Sequence, residues 1–145
     1  MRVLLQRVTY GKVTVDGKTI AEIGNGLVIL LGIGAGDGQE AIDYLTKKIA
    51  ALRIFEDEAG KLNLSVLETG GEAIVVSQFT LFANTRKGRR PSFTSAAPPA
   101  IARPLVDRFA EALQKLGVPT QQGIFGAHMQ VEIHNDGPVT IWMEH

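Results

Sequence analysis

The chain contains no cysteine among its 145 residues. That excludes a disulfide framework, a thiol nucleophile and a thiolate metal site. It also lacks an excess of either charge, with 15 basic residues against 15 acidic ones. A neutral protein has no global field to draw it to nucleic acid, so any hold on phosphate must come from a local cluster. No run approaches the roughly 18 consecutive apolar residues of a membrane span. The opening MRVLLQRVTY alternates instead of carrying the charged and apolar regions of a secretory signal. These absences lead us to expect a soluble, cytoplasmic protein with no membrane contact. Hydrophobic residues make up 45% and charged residues 21%, the balance of an ordinary globular protein. The length suits one domain, residues 1–145, with a core of its own.

Patterning along the chain predicts strands at 2–8 and 11–16, a hairpin at Asp16-Gly17, and a return strand at 18–24. Asn25-Gly26 reads as another turn of the same chemistry. The run GLVILLGI at 26–33 fits a strand buried on both faces. A helix is expected over about 39–52, with Ala41, Ile42, Leu45, Ile49 and Leu52 on one side. Arg53–Phe55 suggests a short strand, and Ala73–Phe82 a central one. A long loop of Arg, Ser, Gly and Pro covers 84–97. A second helix spans about 98–116, with Pro104 as an interior residue that could kink it. Two closing strands are expected at 123–134 and 138–144. The order predicts an α+β fold, mostly antiparallel sheet with two main covering helices. In the penultimate strand, alternation puts Met129, Val131 and Ile133 toward a core or pocket. It puts His128, Gln130, Glu132 and His134 toward solvent or a partner.

Several segments could carry chemistry. Gly32–Gly38 joins a strand to a helix, a context that can suit phosphate. It is not GxGxxG, because Asp37 stands at the third glycine position, and no GK[ST] follows. The simpler reading is a connection capped by Asp37. Ser77 lacks the flanking glycines of a nucleophile elbow, so a hydrogen-bonding serine is favoured over a Ser-His-Asp hydrolase. His128, His134 and His145 have no metal-ligand spacing, and no carboxylate cluster accompanies them. Arg86, Lys87, Arg89 and Arg90 form the densest basic run, a candidate phosphate contact or a solvated loop. Asn135-Asp136-Gly137-Pro138 lies between two strand patterns. Gly137 is free of Cβ sterics, and Pro138 has no N–H. Such a turn can aim carbonyl oxygens at one point, although an ordinary hairpin turn is the simpler reading from the residues alone.

Together, SQFTLFANTRKGRRPSF at 77–93 and FGAHMQVEIHNDGPVT at 125–140 resemble the two signature blocks of the D-aminoacyl-tRNA deacylase family. The opening MRVLLQRVTYGKVTVDG resembles its start, and the likeness runs to about Met143. The resemblance implies hydrolysis of the ester joining a D-amino acid, or glycine, to the acceptor end of tRNA. It implies a homodimer in which a cis Gly137-Pro138 pair reaches into the partner's pocket and excludes L-side chains with its carbonyl oxygens. It assigns Ser77, Gln78, Phe79 and Thr80 to the catalytic strand and Phe125, Ala127 and Met129 to the pocket. Arg7 would hold the Gly-Pro turn. A strand would put Ser77 and Thr80 on opposite faces, so we expect it to end or bend near Phe79. No side chain is an evident general base, and the neighbouring ribose 2′-hydroxyl is expected to assist. No metal or organic cofactor is implied. His134 stands where an apolar residue is expected and is given no role. Two other classes remain open: a nucleotide-dependent enzyme using Gly32–Gly38, and a non-catalytic RNA-binding protein using Arg86–Arg90.

Overall fold

The structure is a computed structural model describing residues 1–145. Its first element, β1 (Arg2–Val15), is one 14-residue strand where two were expected. Asp16 and Gly17, with φ of 49° and 75°, reverse the chain into β2 (Lys18–Ile23). Positive φ at both central residues is what a tight hairpin matching strand twist requires.

Asn25-Gly26 does not reverse the chain. β2 pairs antiparallel with the C-terminal part of β1, from Gly11 to Val15. β3 (Gly26–Gly32) then pairs antiparallel with its N-terminal part, from Arg2 to Val8. The chain therefore bends at Gly24-Asn25 and continues in the same direction. Gly26 is needed there for proximity: a Cβ on it would lie 1.9 Å from the Glu72 carbonyl oxygen.

After β3 come α1 (Gln39–Ala50), the small hairpin β4 (Phe55–Glu56) and β5 (Leu62–Leu64), then β6 (Glu72–Ser77). A 3-10 turn (Phe79–Phe82), α2 (Pro99–Lys115), β7 (Thr120–Gln122) and β8 (Gln130–Glu144) complete the chain. The sheet is mostly antiparallel, as expected, with a parallel part in which β6 pairs with β3 on one side and β7 on the other. The crossovers run through the two helices, as parallel pairs require. The expected central strand at 73–82 ends at Ser77, and its second half is the 3-10 turn. α2 runs through Pro104, which sits on its exposed face.

The sheet closes on itself as a barrel. Its order is β2-β1-β3-β6-β7, with β8 pairing along β1 outside that path. Between β7 and β2 the closure is made by one side chain. The Gln121 amide donates to the Glu22 carbonyl at 2.7 Å and accepts from the Glu22 N–H at 3.0 Å.

Two cores follow from strand alternation. Leu27, Ile29 and Leu31 of β3 point to the helices, where Ile42, Leu45 and Ile49 of α1 and Phe109 and Leu113 of α2 cover them. Val28, Ile74 and Val76 point into the barrel with Val8, Val13 and Ile23. Met129, Val131 and Ile133 pack against this second core, as alternation predicted.

The two expected closing strands are a single element. Both halves of β8 pair with β1, Gln130–Asn135 against Val8–Thr14 and Thr140–Glu144 against Arg2–Gln6. Between the pairs Val8↔Asn135 and Gln6↔Thr140, β1 has one residue, Arg7, and β8 has four, Asp136–Val139. The Gly137-Pro138 segment is thus a bulge thrown out of an edge strand, not a hairpin tip at the end of the sheet. Bulges of this kind re-aim backbone and terminate pairing locally.

Candidate active site

A cavity of about 590 Å³ opens where β6 runs into the 3-10 turn. Ser77, Gln78 and Phe79 form one side. Phe125, Ala127 and Met129, from the segment between β7 and β8, form another. Leu31, Ala97 and α2 residues Ala102 and Val106 supply an apolar floor. Phe93 closes the mouth, with its ring edge-on to Phe79 at 4.9 Å between centroids. The Arg103 guanidinium lies 5.2 Å from the Phe125 ring centroid and holds that wall from outside.

The chain breaks from strand to turn here because β6 loses its template. Gln78 N–H still donates to Leu31 O at 2.7 Å, but β3 ends at Gly32. The next residues close on themselves: Leu81 N–H reaches Gln78 O at 3.2 Å and Ala83 N–H reaches Thr80 O at 3.0 Å. Phe79 and Thr80 open the turn, so their N–H groups have no partner within it. The bend expected near Phe79 is present. Thr80 is exposed and is not on the cavity wall; its hydroxyl accepts a hydrogen bond from the Gln78 side-chain amide.

Glycines of the 32–38 loop serve this turn. A Cβ on Gly34 would lie 2.8 Å from the Phe82 ring, and one on Gly32 would lie 3.1 Å from it. The loop's polar groups are also engaged. Gly34 N–H donates to Asp37 Oδ2 at 2.6 Å, and Ala35 N–H to Ser95 O at 3.1 Å. Asp37 Oδ1 takes the Met1 ammonium at 2.6 Å. Asp37 does not cap α1, whose N-cap residue is Gly38 without a side-chain bond. A loop that spends its donors internally and presents a carboxylate is poorly suited to phosphate.

Arg7, Gly137 and Pro138 lie together, away from the walls of this cavity. Arg7 is 4% exposed, the most deeply buried cationic side chain of the chain. It donates to the Ile54 carbonyl at 2.7 Å and to the Asp136 carbonyl at 3.1 Å, with the Asp136 carboxylate also at 3.1 Å. Asn135 ties the far side, accepting the Val139 N–H at 2.8 Å. The Gly137-Pro138 bond is cis and Gly137 has φ of 127°.

The three histidines are dispersed. His134 packs on Tyr10, His145 on Tyr44, and His128 lies on the cavity wall. That last position departs from the alternation expected at 128–134, because β8 begins only at Gln130. His128 is the one titratable side chain on the wall, and no carboxylate accompanies it, so Ser77 has no triad there. Arg86, Lys87, Arg89 and Arg90 stand on an exposed loop pinned at its base by the Asn84–Ser92 bridge. None of the four takes part in an ion pair. Phe93, Ala97, Ala102 and Val106 escaped the sequence reading. The i, i+4 pair Ala102 and Val106 was visible only as core periodicity, and Phe93 only as an aromatic in a polar loop.

A family model described as D-Tyr-tRNA(Tyr) deacylase matches residues 4–144. A D-aminoacyl-tRNA deacylase of Thermomicrobium roseum is 61% identical over 144 residues, covering 99% of this chain and 94% of that one. One from Ruegeria pomeroyi is 57% identical and covers 99% of both. Among solved structures, the c-Myc DNA Unwinding Element Binding Protein superposes with a TM-score of 0.94 at 44% identity, covering 100% of this chain and 99% of that one. A probable eukaryotic D-amino acid tRNA deacylase shares the fold at a TM-score of 0.84 and 19% identity, covering 98% and 97%. The chain belongs to the D-aminoacyl-tRNA deacylases, a family of hydrolases.

Proposed function

We propose that the protein hydrolyses the ester between a D-amino acid, or glycine, and the terminal ribose of tRNA, and that it works as a homodimer in the cytoplasm. The observation that carries this reading is the convergence of Ser77, Gln78 and Phe79 with Phe125, Ala127 and Met129 on one cavity. Its walls are apolar enough to seat a side chain. Its polar end offers the N–H groups that open the 3-10 turn. Water adds to the ester carbonyl, and those N–H groups with the Ser77 hydroxyl hold the oxyanion, a contribution typically of about 3–4 kcal/mol per donor. Collapse breaks the acyl–oxygen bond, and the ribose oxygen leaves with a proton relayed by its neighbouring 2′-hydroxyl.

The chiral filter in this reading is backbone. Gly137-Pro138 of a second copy would enter the cavity and set its carbonyl oxygens where an L-side chain must go, leaving room for hydrogen or a D-side chain. Support comes from the bulge on an edge strand, which lines no part of its own cavity, and from Arg7, which fixes its carbonyl at Asp136. Arg86, Lys87, Arg89 and Arg90 would hold acceptor-end phosphates. Their exposure without ion pairs favours that role and also keeps a non-catalytic nucleic-acid-binding reading open.

The test is release of tyrosine from D-Tyr-tRNA and L-Tyr-tRNA at one enzyme concentration. Fast release from the D-form alone is expected. Equal rates would refute the filter. Equal binding of charged and uncharged tRNA with no release would favour the binding protein.

A further inference from the structure

The polar end of the cavity depends on where the 3-10 turn stops, and the turn does not satisfy its own last carbonyls. Continued 3-10 pairing would give the Leu81 oxygen to the Asn84 N–H, but that group donates to Ser92 O at 2.8 Å at the base of the basic loop. Arg2, on the first strand, supplies the missing donor: its guanidinium Nη1 meets Leu81 O at 3.0 Å. The same guanidinium lies 4.4 Å from the centroid of the Phe82 ring, which seats the turn against Gly32 and Gly34. Its Nε donates to Glu144 Oε1 at 2.9 Å, and Trp142 lies 5.8 Å away on the other side. One planar group thus joins β1, the end of β8 and the far end of the turn.

We propose that Arg2 is a positioning residue for the deacylation site, fixing the 3-10 turn so that the Phe79 and Thr80 N–H groups face the reacting carbonyl. This rests on the reading of the cavity given above. The Arg2 guanidinium meets Leu81, Phe82, Glu144 and Trp142, none of them on the cavity wall, and its side chain is 29% exposed, so the fold does not require its burial. The geometry demands a guanidinium. A lysine ammonium on a flexible stem cannot bond Leu81 O, pair with Glu144 and lie flat on Phe82 together. Glu144 in turn keeps the guanidinium plane in place.

Wild type, Arg2→Lys, Arg2→Met and Glu144→Gln are compared in single-turnover release from D-Tyr-tRNA, and each free protein is followed by amide hydrogen exchange. For Arg2→Met the rate at saturating enzyme should fall about 10–100-fold, the scale of a small misplacement of reacting groups. The half-saturating enzyme concentration should stay within about twofold. Arg2→Lys should recover part of the rate, and Glu144→Gln should lose the least. Exchange at the Leu81 and Ala83 amides should quicken while β6 amides keep their protection. An unchanged rate, a change confined to the half-saturating concentration, or exchange quickened throughout the molecule would overturn the proposal. Exchange decides the positioning claim even if wild type releases no D-tyrosine, the outcome that would refute the functional reading instead.

Discussion

Replacing Gly137 with alanine is the sharpest perturbation of the proposed filter. At φ of 127° the residue occupies backbone space that L-residues rarely enter. Holding a side-chain-bearing residue there costs of order 1–3 kcal/mol. The new methyl also has little room. Its Cβ would lie 2.9 Å from Val139 Cγ2, 3.1 Å from the Val139 nitrogen and 3.3 Å from Arg7 Nη2. Arg7 cannot retreat easily, because Ile54 and Asp136 hold its other nitrogens. The bulge must therefore move. A loss of about 1–3 kcal/mol is well below a typical stability of about 5–15 kcal/mol, so the protein stays folded. With an unfolding entropy near 2.1 cal/mol/K per residue, the melting temperature should fall by about 3–10 °C. Gly36→Ala is the control, since its φ is 96° but a Cβ there meets nothing within 4 Å. It should cost stability without touching selectivity. The assay is the ratio of D- to L-Tyr-tRNA hydrolysis beside a thermal melt. Gly137→Ala should narrow the ratio while Gly36→Ala leaves it alone. An undiminished ratio in Gly137→Ala, in a variant whose melt has shifted, would refute the reasoning.

Three further outcomes are expected. Ser77→Ala should slow D-Tyr-tRNA hydrolysis by roughly 10–1000-fold, the scale of a removed oxyanion donor; an acyl adduct on Ser77 in a mass spectrum of the quenched reaction would instead make it a nucleophile. Replacing Arg86, Lys87, Arg89 and Arg90 by alanine should weaken tRNA binding and flatten its salt dependence by up to about 0.7–0.9 log units for each phosphate the loop no longer neutralises, with the D/L ratio unchanged; an unaltered salt slope would return the loop to solvent. In acid the β4–β5 hairpin should loosen. Hydrogen bonds from the backbone N–H groups of Lys61 and then Ala59 hold the Asp57 carboxyl below its ordinary value, so its stabilising effect is complete above the unfolded pKa of about 3.9 and disappears as the pH falls through the lower folded value. Protection of the Ala59 and Lys61 amides, relative to their intrinsic exchange rates at each pH, should fall there in wild type and be lost already at neutral pH in Asp57→Ala.

The parts of the fold that sequence patterning carried were those with a strong local cause. α1 announced itself by Ala41, Ile42, Leu45 and Ile49, all buried. β3 read as a strand covered on both faces, which the two cores require. What patterning could not carry was pairing partners. Asn25-Gly26 has hairpin chemistry, yet β1 is long enough to template both β2 and β3, so the chain bends and goes on. Asp136–Val139 looked like a turn because four residues leave the ladder, and only the register against Arg7 reveals a bulge. The parallel pairing of β6 with β3 and β7 is equally long-range. For the site, the signature blocks named Ser77, Gln78, Phe79, Phe125, Ala127 and Met129, and these share one cavity. The floor from α2 was hidden because a helix face turned to a pocket has the same apolar spacing as one turned to a core.

The barrel's closure by Gln121 divides the sheet into unequal seams. Along β1 and β3 a ladder of backbone bonds shares any load, and no single substitution can remove it. Between β7 and β2 the hydrogen bonding is two bonds of one amide. A seam of that kind is a clasp, made by a side chain where the rest of the sheet uses backbone. The chain leaving the clasp is the segment 123–129, which carries Phe125, Ala127 and Met129. Gln121 itself does not touch the cavity, and the other edge of its strand is held by β6. A substitution at Gln121 would probe that seam while leaving every wall residue in place.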